Sequence, residues 1–141
     1  MSRFLLSSVV MFLMAFALSW FVHGVLLHGD YMQMLGSGAM RRPEDTHALM
    51  PWMFLAHAAF GVALAWFYLQ GREDRPWLTQ GIRYGVAVAC LAIVPTYLIY
   101  HVVTPVPLSV AFKQIVFDTI RLVLMGIVLA WINRGTVPAH A

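Results

Sequence analysis

The stretch FLLSSVVMFLMAFALSWFVHGVLL, residues 4–27, decides the fold class. It contains no lysine, arginine, aspartate or glutamate, and it exceeds the roughly 20 residues of α-helix that cross the hydrocarbon core of a bilayer. A cleaved signal peptide is the alternative. The apolar run continues past the poorly matched cleavage sequence before Trp20, so we expect the segment to be retained. The stretch therefore predicts a transmembrane helix.

Three further apolar stretches of similar length follow, over residues 51–70, 82–103 and 110–132. The whole chain is 61% hydrophobic and only 11% charged, whereas about a quarter of the residues in a soluble domain are charged. The sequence therefore predicts an all-α integral membrane protein. Its expected form is a single domain over residues 1–141, a four-helix transmembrane bundle with residues 28–50 as an outer loop.

The distribution of basic residues predicts the orientation of this bundle. Lysine and arginine in short loops favour the cytoplasmic side. With the N-terminus inside, Arg41 and Arg42 lie outside, and the cytoplasmic set is Arg3, Arg72, Arg75, Arg83 and Arg134. We therefore expect a multi-pass protein of the bacterial cytoplasmic (inner) membrane with both termini in the cytoplasm.

The basic residues are spread over loop ends, so the net charge of +3 gives no indication of nucleic-acid binding. The expected partners are the lipid bilayer and other membrane subunits, or further copies of the same chain.

Similar segments recur in the two halves of the chain. GVALAW at residues 61–66 resembles GIVLAW at 126–131, and FVHGV around His23 resembles IYHVV around His101. These matches predict a 2+2 parallel repeat, a theme of small membrane proteins. Chance similarity between apolar sequences is the alternative.

Polar side chains collect toward one end of the predicted bundle. His23, His57, His101 and Asp118 come from four different helices and all fall in their outer halves. At about 1.5 Å per residue, His57 and Asp118 lie roughly 10 Å below the outer surface. Aromatic side chains with hydroxyl groups accompany them, Tyr97 and Tyr100. We therefore expect any ligand to bind at the outer end.

Asp118 and Arg121 are three residues apart and predict an ion pair on one helix face. Either charge alone costs at least ~2.5 kcal/mol in the bilayer centre. Two interpretations remain open. The pair serves as a proton relay or substrate counter-ion, or it is a structural pair that fixes the helix register.

The histidines suggest a metal or haem site. Haem b in a helix bundle needs two histidines on facing helices, and His57 with His23 or His101 would supply them. Met32 and Met34 in the outer loop would suit copper. The alternative is that these histidines lie at the membrane interface and the methionines pack there.

Two known families share the number of helices but differ in their site residues. The chain is similar in size to small multidrug exchangers, whose hallmark is a membrane-embedded glutamate in the first helix. Here Asp30 is the first acidic residue. The chain is also similar in helix number to cytochromes of the b561 type, which hold haem ligands toward both faces. The inner half here contains no histidine. Neither resemblance implies a function.

We therefore expect an accessory subunit or a ligand-binding membrane module with a polar histidine and aspartate cluster at its outer end. A redox protein that binds haem, copper or a quinone is the first alternative, and a small proton-coupled transporter is the second. The sequence carries no nucleophilic triad, phosphate loop or metalloprotease motif. This favours a non-enzymatic role and leaves a reaction open.

Overall fold

The computed structural model describes residues 2–135, and every regular element in that range is a helix. The α-helices are α1 Arg3–Phe21, α2 His28–Met34, α3 Pro43–Thr46, α4 Met50–Gln70, α5 Trp77–Val88, α6 Val94–Val103 and α7 Leu108–Ile132. A π segment, Val22–Leu26, continues α1, and a second, Ala89–Ile93, joins α5 to α6. Short 3-10 turns lie at Leu35–Ser37 and His47–Leu49. Of the predicted domain 1–141, residues 1 and 136–141 lie outside the described range.

Four helices in this range are long and apolar enough to cross a membrane, which confirms that part of the predicted fold. They cover Arg3–Leu26, Glu44–Gln70, Trp77–Val103 and Leu108–Ile132. The third begins at Trp77, five residues before the expected start at residue 82, because Pro76 has an extended backbone and the helix starts directly after it. Proline at such a position ends the preceding segment without costing a helical hydrogen bond.

The helices pack as two close pairs, α1 with α4 and α5 with α7, and α1 also contacts α7. Glycines allow the close approach. A Cβ on Gly61 of α4 would lie 2.6 Å from the backbone nitrogen of Phe12 in α1, and a Cβ on Gly85 of α5 would lie 2.6 Å from the carbonyl oxygen of Leu122 in α7. Gly81 and Gly126 meet in the same way. Small residues permit such contacts because helix association in lipid depends on van der Waals fit.

The interior and the surface of the bundle are both largely apolar. The core contains Met11, Ala15, Leu64, Ala65, Tyr68, Ile93, Leu122, Met125 and Leu129. Large apolar side chains also cover the outside, including Leu91 at 80% exposure and Val102 at 81%. Soluble monomers seldom expose contiguous apolar surface of this extent. The surface is therefore compatible with a multi-pass membrane protein.

An apolar groove lies between α4 and α5, where the two helices meet through side chains. The Tyr84 hydroxyl donates a hydrogen bond to the carbonyl oxygen of Leu64 at 2.7 Å, and the Tyr84 ring lies edge-on to Tyr68. The groove has a volume of about 410 Å³, and its lining includes Phe60, Ala63, Phe67, Val88 and Leu91. Because Leu91 is so exposed, the groove is open to the outside of the bundle.

The short helix α2 folds over one end of the bundle, which we call the α2 end. Leu27, directly before α2, and Met34, its last residue, are buried. Lys113 Nζ of α7 lies 2.7 and 3.0 Å from the two carboxylate oxygens of Asp30 in α2. This ion pair ties α2 to α7 and so holds Tyr31 over the interior. The opposite end carries Arg3 and Arg134, and we call it the terminal end.

Candidate functional site

Asp118 is a fully buried carboxylate in the middle of the helix packing. Its Oδ2 accepts a hydrogen bond from the Tyr97 hydroxyl of α6 at 2.5 Å. Its Oδ1 lies 3.1 Å from Nε of Arg121, one turn further along α7. Burying a charge without a partner is costly, and charge-assisted hydrogen bonds of this kind offset that cost. The arrangement indicates an ionised Asp118 paired with Arg121.

His23 joins this carboxylate to the α2 end of the bundle. Its Nε2 lies 3.3 Å from Asp118 Oδ2, and its Nδ1 lies 2.6 Å from the Tyr31 hydroxyl. Gln114 Nε2 donates to that same hydroxyl at 3.0 Å. A phenol has one proton to give, so Tyr31 donates to His23 Nδ1. With Gln114 in this orientation, His23 is assigned as the neutral tautomer whose Nε2–H points at Asp118. These residues form what we call the Asp118 network, namely Tyr31, Gln114, His23, Asp118, Tyr97 and Arg121.

Tyr31 remains protonated at neutral pH. Burial raises the pKa of its phenol to about 12, and the negative charges of Asp118 and Asp30 act in the same direction. The hydrogen bond from Gln114 opposes the shift and is outweighed. A buried neutral phenol is a stable donor, so Tyr31 keeps the proton that it directs at His23.

The pair Asp118 and Arg121 retains unused hydrogen-bonding capacity. Asp118 Oδ1 and Arg121 Nε are both buried, and neither makes a well-directed hydrogen bond to any residue in the range 2–135, although they lie 3.1 Å apart. The Arg121 side chain is only 10% exposed. Buried polar groups without partners are uncommon and call for an explanation. Here the guanidinium borders a cleft.

This central cleft, of about 310 Å³, is lined from all four long helices by Ser19, His23, Ala56, His57, Phe60, Ile93, Tyr97 and Arg121. His57 Nδ1 lies 2.7 Å from the carbonyl oxygen of Met53, which only accepts, so the proton is on Nδ1. The Nε2 atom of neutral His57 is then an acceptor, and it makes no hydrogen bond to the described part of the chain. Beside Ser19, His23 and Tyr97, the cleft therefore offers an acceptor at His57 and a donor group at Arg121.

A second cleft, the loop cleft, opens at the α2 end and has a volume of about 390 Å³. Its lining is His23, Tyr31, Ala39, Met40, Tyr97, Tyr100, Thr104, Val106 and Gln114. His23 and Tyr97 line both clefts. These two side chains therefore stand between the loop cleft and the central cleft.

The structure brings most of the predicted site residues together. His23, Tyr97 and Arg121 each contact Asp118, and His57 lines the central cleft together with those three. Tyr100 lines the loop cleft instead. The predicted convergence at one end of the bundle thus corresponds to two adjoining clefts.

Of the histidines predicted for a metal or haem, His23 and His57 line the central cleft and His101 does not. The His101 ring bonds through Nδ1 to the carbonyl oxygen of Val106 at 2.7 Å, and it lines neither cleft. Met34, the last residue of α2, is buried, whereas Met32 is half-exposed. Within residues 2–135, no three side chains among histidine, cysteine, aspartate and glutamate are grouped to hold a metal ion.

Three site residues were not identified from the sequence. Gln114 precedes Asp118 by one helical turn, so the spacing alone predicts that both lie on the same face of the helix. Ser19 precedes His23 by one turn in the same way. Tyr31 had no such signal, because its approach to His23 depends on how α2 folds back.

Comparison with known protein families, with curated proteins and with solved structures finds no match. The two clefts and the groove are therefore the features from which a function can be inferred.

Proposed function

We propose that this chain is a membrane module that binds an amphipathic molecule dissolved in the bilayer. The polar head group would occupy the central cleft and the apolar tail would lie in the groove between α4 and α5. One observation carries the proposal: Phe60 lines both the cleft and the groove, so the polar and apolar sites adjoin. A ligand with a head and a tail fits this arrangement, since ligand sites combine apolar walls with a few polar groups.

The chemistry of the central cleft favours a neutral head group. Arg121 is a donor, but Asp118 at 3.1 Å already balances its charge. A carbonyl oxygen can accept from the guanidinium without adding an uncompensated charge, whereas an anionic head group would meet the Asp118 carboxylate. His57 Nε2 can accept from a hydroxyl group. A ring that carries carbonyl or hydroxyl oxygens, as in a quinone or quinol, satisfies both groups.

The groove supplies fit for the tail and little net driving force. Lipid chains are as apolar as the side chains that line the groove, so moving a tail from the bilayer gains mainly van der Waals contact. Selectivity therefore comes from the head group, through hydrogen bonds to Arg121 and His57. A buried polar site of this kind discriminates against molecules that leave its groups unpaired.

The location and orientation of the chain in the membrane form a second part of the proposal. We propose a cytoplasmic membrane location with both termini in the cytoplasm, which makes the α2 end extracytoplasmic. The arginines at the terminal end support this orientation. Arg3 donates to the carbonyl oxygen of Arg134, and Arg72 donates to that of Asn133. Basic groups near one end are the expected topology signal.

We also propose that the two helix pairs are a 2+2 parallel repeat. Gly61 of α4 and Gly126 of α7 occupy matching places in the GVALAW and GIVLAW segments. Each glycine sits where its helix touches the partner helix of its own pair. The shared position supports a common origin for the pairs.

Binding of a decyl-substituted 1,4-benzoquinone tests the proposed function. The purified protein in nanodiscs would be titrated while quenching of tryptophan fluorescence is followed. We expect saturable binding, weakened about tenfold by His57→Ala, because one hydrogen bond contributes up to ~1.5 kcal/mol. His28→Ala is the matched control, since His28 is exposed on α2. Binding that is non-saturable, or equal in His57→Ala and wild type, would reject the central cleft as the ligand site.

A further inference from the structure

We propose that the Asp118 network carries protons between the loop cleft and the ligand in the central cleft. The ligand would then belong to a class whose head group gains or loses a proton, as a quinol does. Delivery of the proton to a ligand rests on the proposed function, but the path from the loop cleft to Asp118 does not. The two clefts adjoin at this network, and the lining residues that they share are His23 and Tyr97.

The path is continuous from the loop cleft to Asp118. Tyr31 lines the loop cleft and lies 2.6 Å from His23 Nδ1. His23 Nε2 lies 3.3 Å from Asp118 Oδ2, and the Tyr97 hydroxyl lies 2.5 Å from that same oxygen. Each junction joins a donor to an acceptor at or close to hydrogen-bond distance. Each link is also a group that can both give and receive a proton.

In the first step, a hydronium ion in the loop cleft gives a proton to the Tyr31 oxygen and is left as water. The original Tyr31 proton moves to His23 Nδ1, and the His23 Nε2 proton moves to Asp118 Oδ2. One proton has entered, Tyr31 is again a neutral phenol, and Asp118 has become a neutral acid. Water in the two clefts that His23 lines takes the Nδ1 proton and returns one to Nε2, with no net gain or loss, and so restores the first tautomer. Histidine suits this position because both ring nitrogens take part.

In the second step, the neutral Asp118 gives its proton to the Tyr97 oxygen. The original Tyr97 proton passes to an acceptor atom of the head group in the central cleft, which Tyr97 also lines. One proton has left, Asp118 is again a carboxylate, and the Arg121 charge beside it favours that state. The reverse sequence removes a proton from the ligand and returns it to the loop cleft.

The path ends at the central cleft. Beyond Asp118 toward the terminal end, apolar side chains including Met11, Ala15, Leu122, Met125 and Leu129 form the next part of the core, and the buried polar residues Ser7, Ser8 and Asn133 follow only near the terminal end. The other charged groups near the path are the paired Asp30 and Lys113 on the α2 side. His57 faces the cleft from α4 and remains bonded to Met53. An apolar core of this kind does not conduct protons, so the network exchanges them with a ligand and does not form a transmembrane channel.

Exchange of the His23 imidazole proton with water tests the path without any ligand. We would label the histidines with ¹⁵N and measure this rate by NMR in nanodiscs. Tyr31→Phe removes the hydroxyl and keeps the ring, so we expect exchange at least tenfold slower than in wild type. Tyr100→Phe makes the same change in the same loop cleft, off the path, and should leave the rate unchanged.

Equal or faster exchange in Tyr31→Phe would overturn the relay, as would equal slowing in Tyr100→Phe. The outcome is separate from the quinone titration, because the NMR sample contains no quinone. Failure of the titration alone would remove the proposed ligand, and failure of the exchange experiment alone would remove the proton path.

Discussion

Asp118 is held by three side chains, two from other parts of the fold and one from its own helix. Tyr97 comes from α6, His23 from the π segment after α1, and Arg121 from the next turn of α7. The carboxylate therefore serves as a structural node and as the midpoint of the proposed relay. These two roles are separable because they depend on different partners, Arg121 for charge balance and His23 for proton transfer.

Removal of the carboxylate should destabilise the fold. In Asp118→Ala the guanidinium of Arg121 is left buried and unpaired, so we expect a loss of about 3 kcal/mol in the free energy of unfolding. The double variant Asp118→Ala/Arg121→Ala should recover part of that loss. Thermal unfolding in detergent provides the measurement. Asp30→Ala is the control, because its pair with the half-exposed Lys113 should contribute no more than ~1 kcal/mol. Asp118→Ala that unfolds at the wild-type temperature would contradict the expectation.

At this scale the sequence predicts chemistry within one helix better than chemistry between segments. The spacing of Asp118 and Arg121 predicts their pairing, and Nε and Oδ1 are 3.1 Å apart. The surroundings of His57 are more difficult to predict. Its ring is bonded to the carbonyl oxygen of Met53 in its own helix, and it shares a cleft with Arg121 without contacting it through a hydrogen bond. Tyr31 could not be predicted, because its contact with His23 requires α2 to fold back.

The α5–α7 contact is the tightest helix contact of the fold and depends on glycine. Gly81 and Gly85 are four residues apart on one face of α5, and Gly126 of α7 faces them. This face cannot be recognised from hydropathy, because Thr79, Gln80 and Arg83 interrupt the apolar pattern at the start of α5. The same polar residues explain why the sequence predicts a later helix start than Trp77.

Gly126→Ala should weaken this contact. A Cβ on Gly126 would meet the carbonyl oxygen of Gly81, which is backbone and cannot move aside, so we expect a loss of about 2 kcal/mol in stability. Unfolding in detergent is the measurement. Gly29→Ala on α2 is the matched control, because a Cβ there meets open space. Equal stability of the two variants would show that the α5–α7 backbones are further apart than described.

For the whole molecule, the apolar stretches alone predict the architecture. Length and hydropathy are sufficient for four spans because each must exceed the thickness of the hydrocarbon core. The packing order is a different matter. Nothing in the hydropathy shows that α1 pairs with α4 and α5 with α7, or that a groove remains between α4 and α5. These features depend on where glycines and tyrosines fall on the helix faces.

The orientation of the whole molecule can be tested with reporter fusions. A reporter active only in the cytoplasm, fused after the last residue, should be active, and a reporter active only in the periplasm should be inactive there. The reason is the excess of arginine at the terminal end. A fusion within the loop near Gly38 should give the opposite result. Periplasmic activity at the C-terminus would reverse the orientation and put the loop cleft on the cytoplasmic side.

The π segment Val22–Leu26 changes the helical phase of the chain directly after α1. In it the Leu27 N–H bonds to the carbonyl oxygen of Val22, five residues back, so the turn contains one residue more than an α-turn. One extra residue rotates all that follows by about 100° relative to an unbroken helix. His23 lies within that rotation, whereas Met11 and Ala15 lie before it. The π segment therefore sets the direction of His23, whereas the α-helical turns before it set the face that packs through Met11 and Ala15. A substitution on that face can change the packing without moving the imidazole away from Asp118.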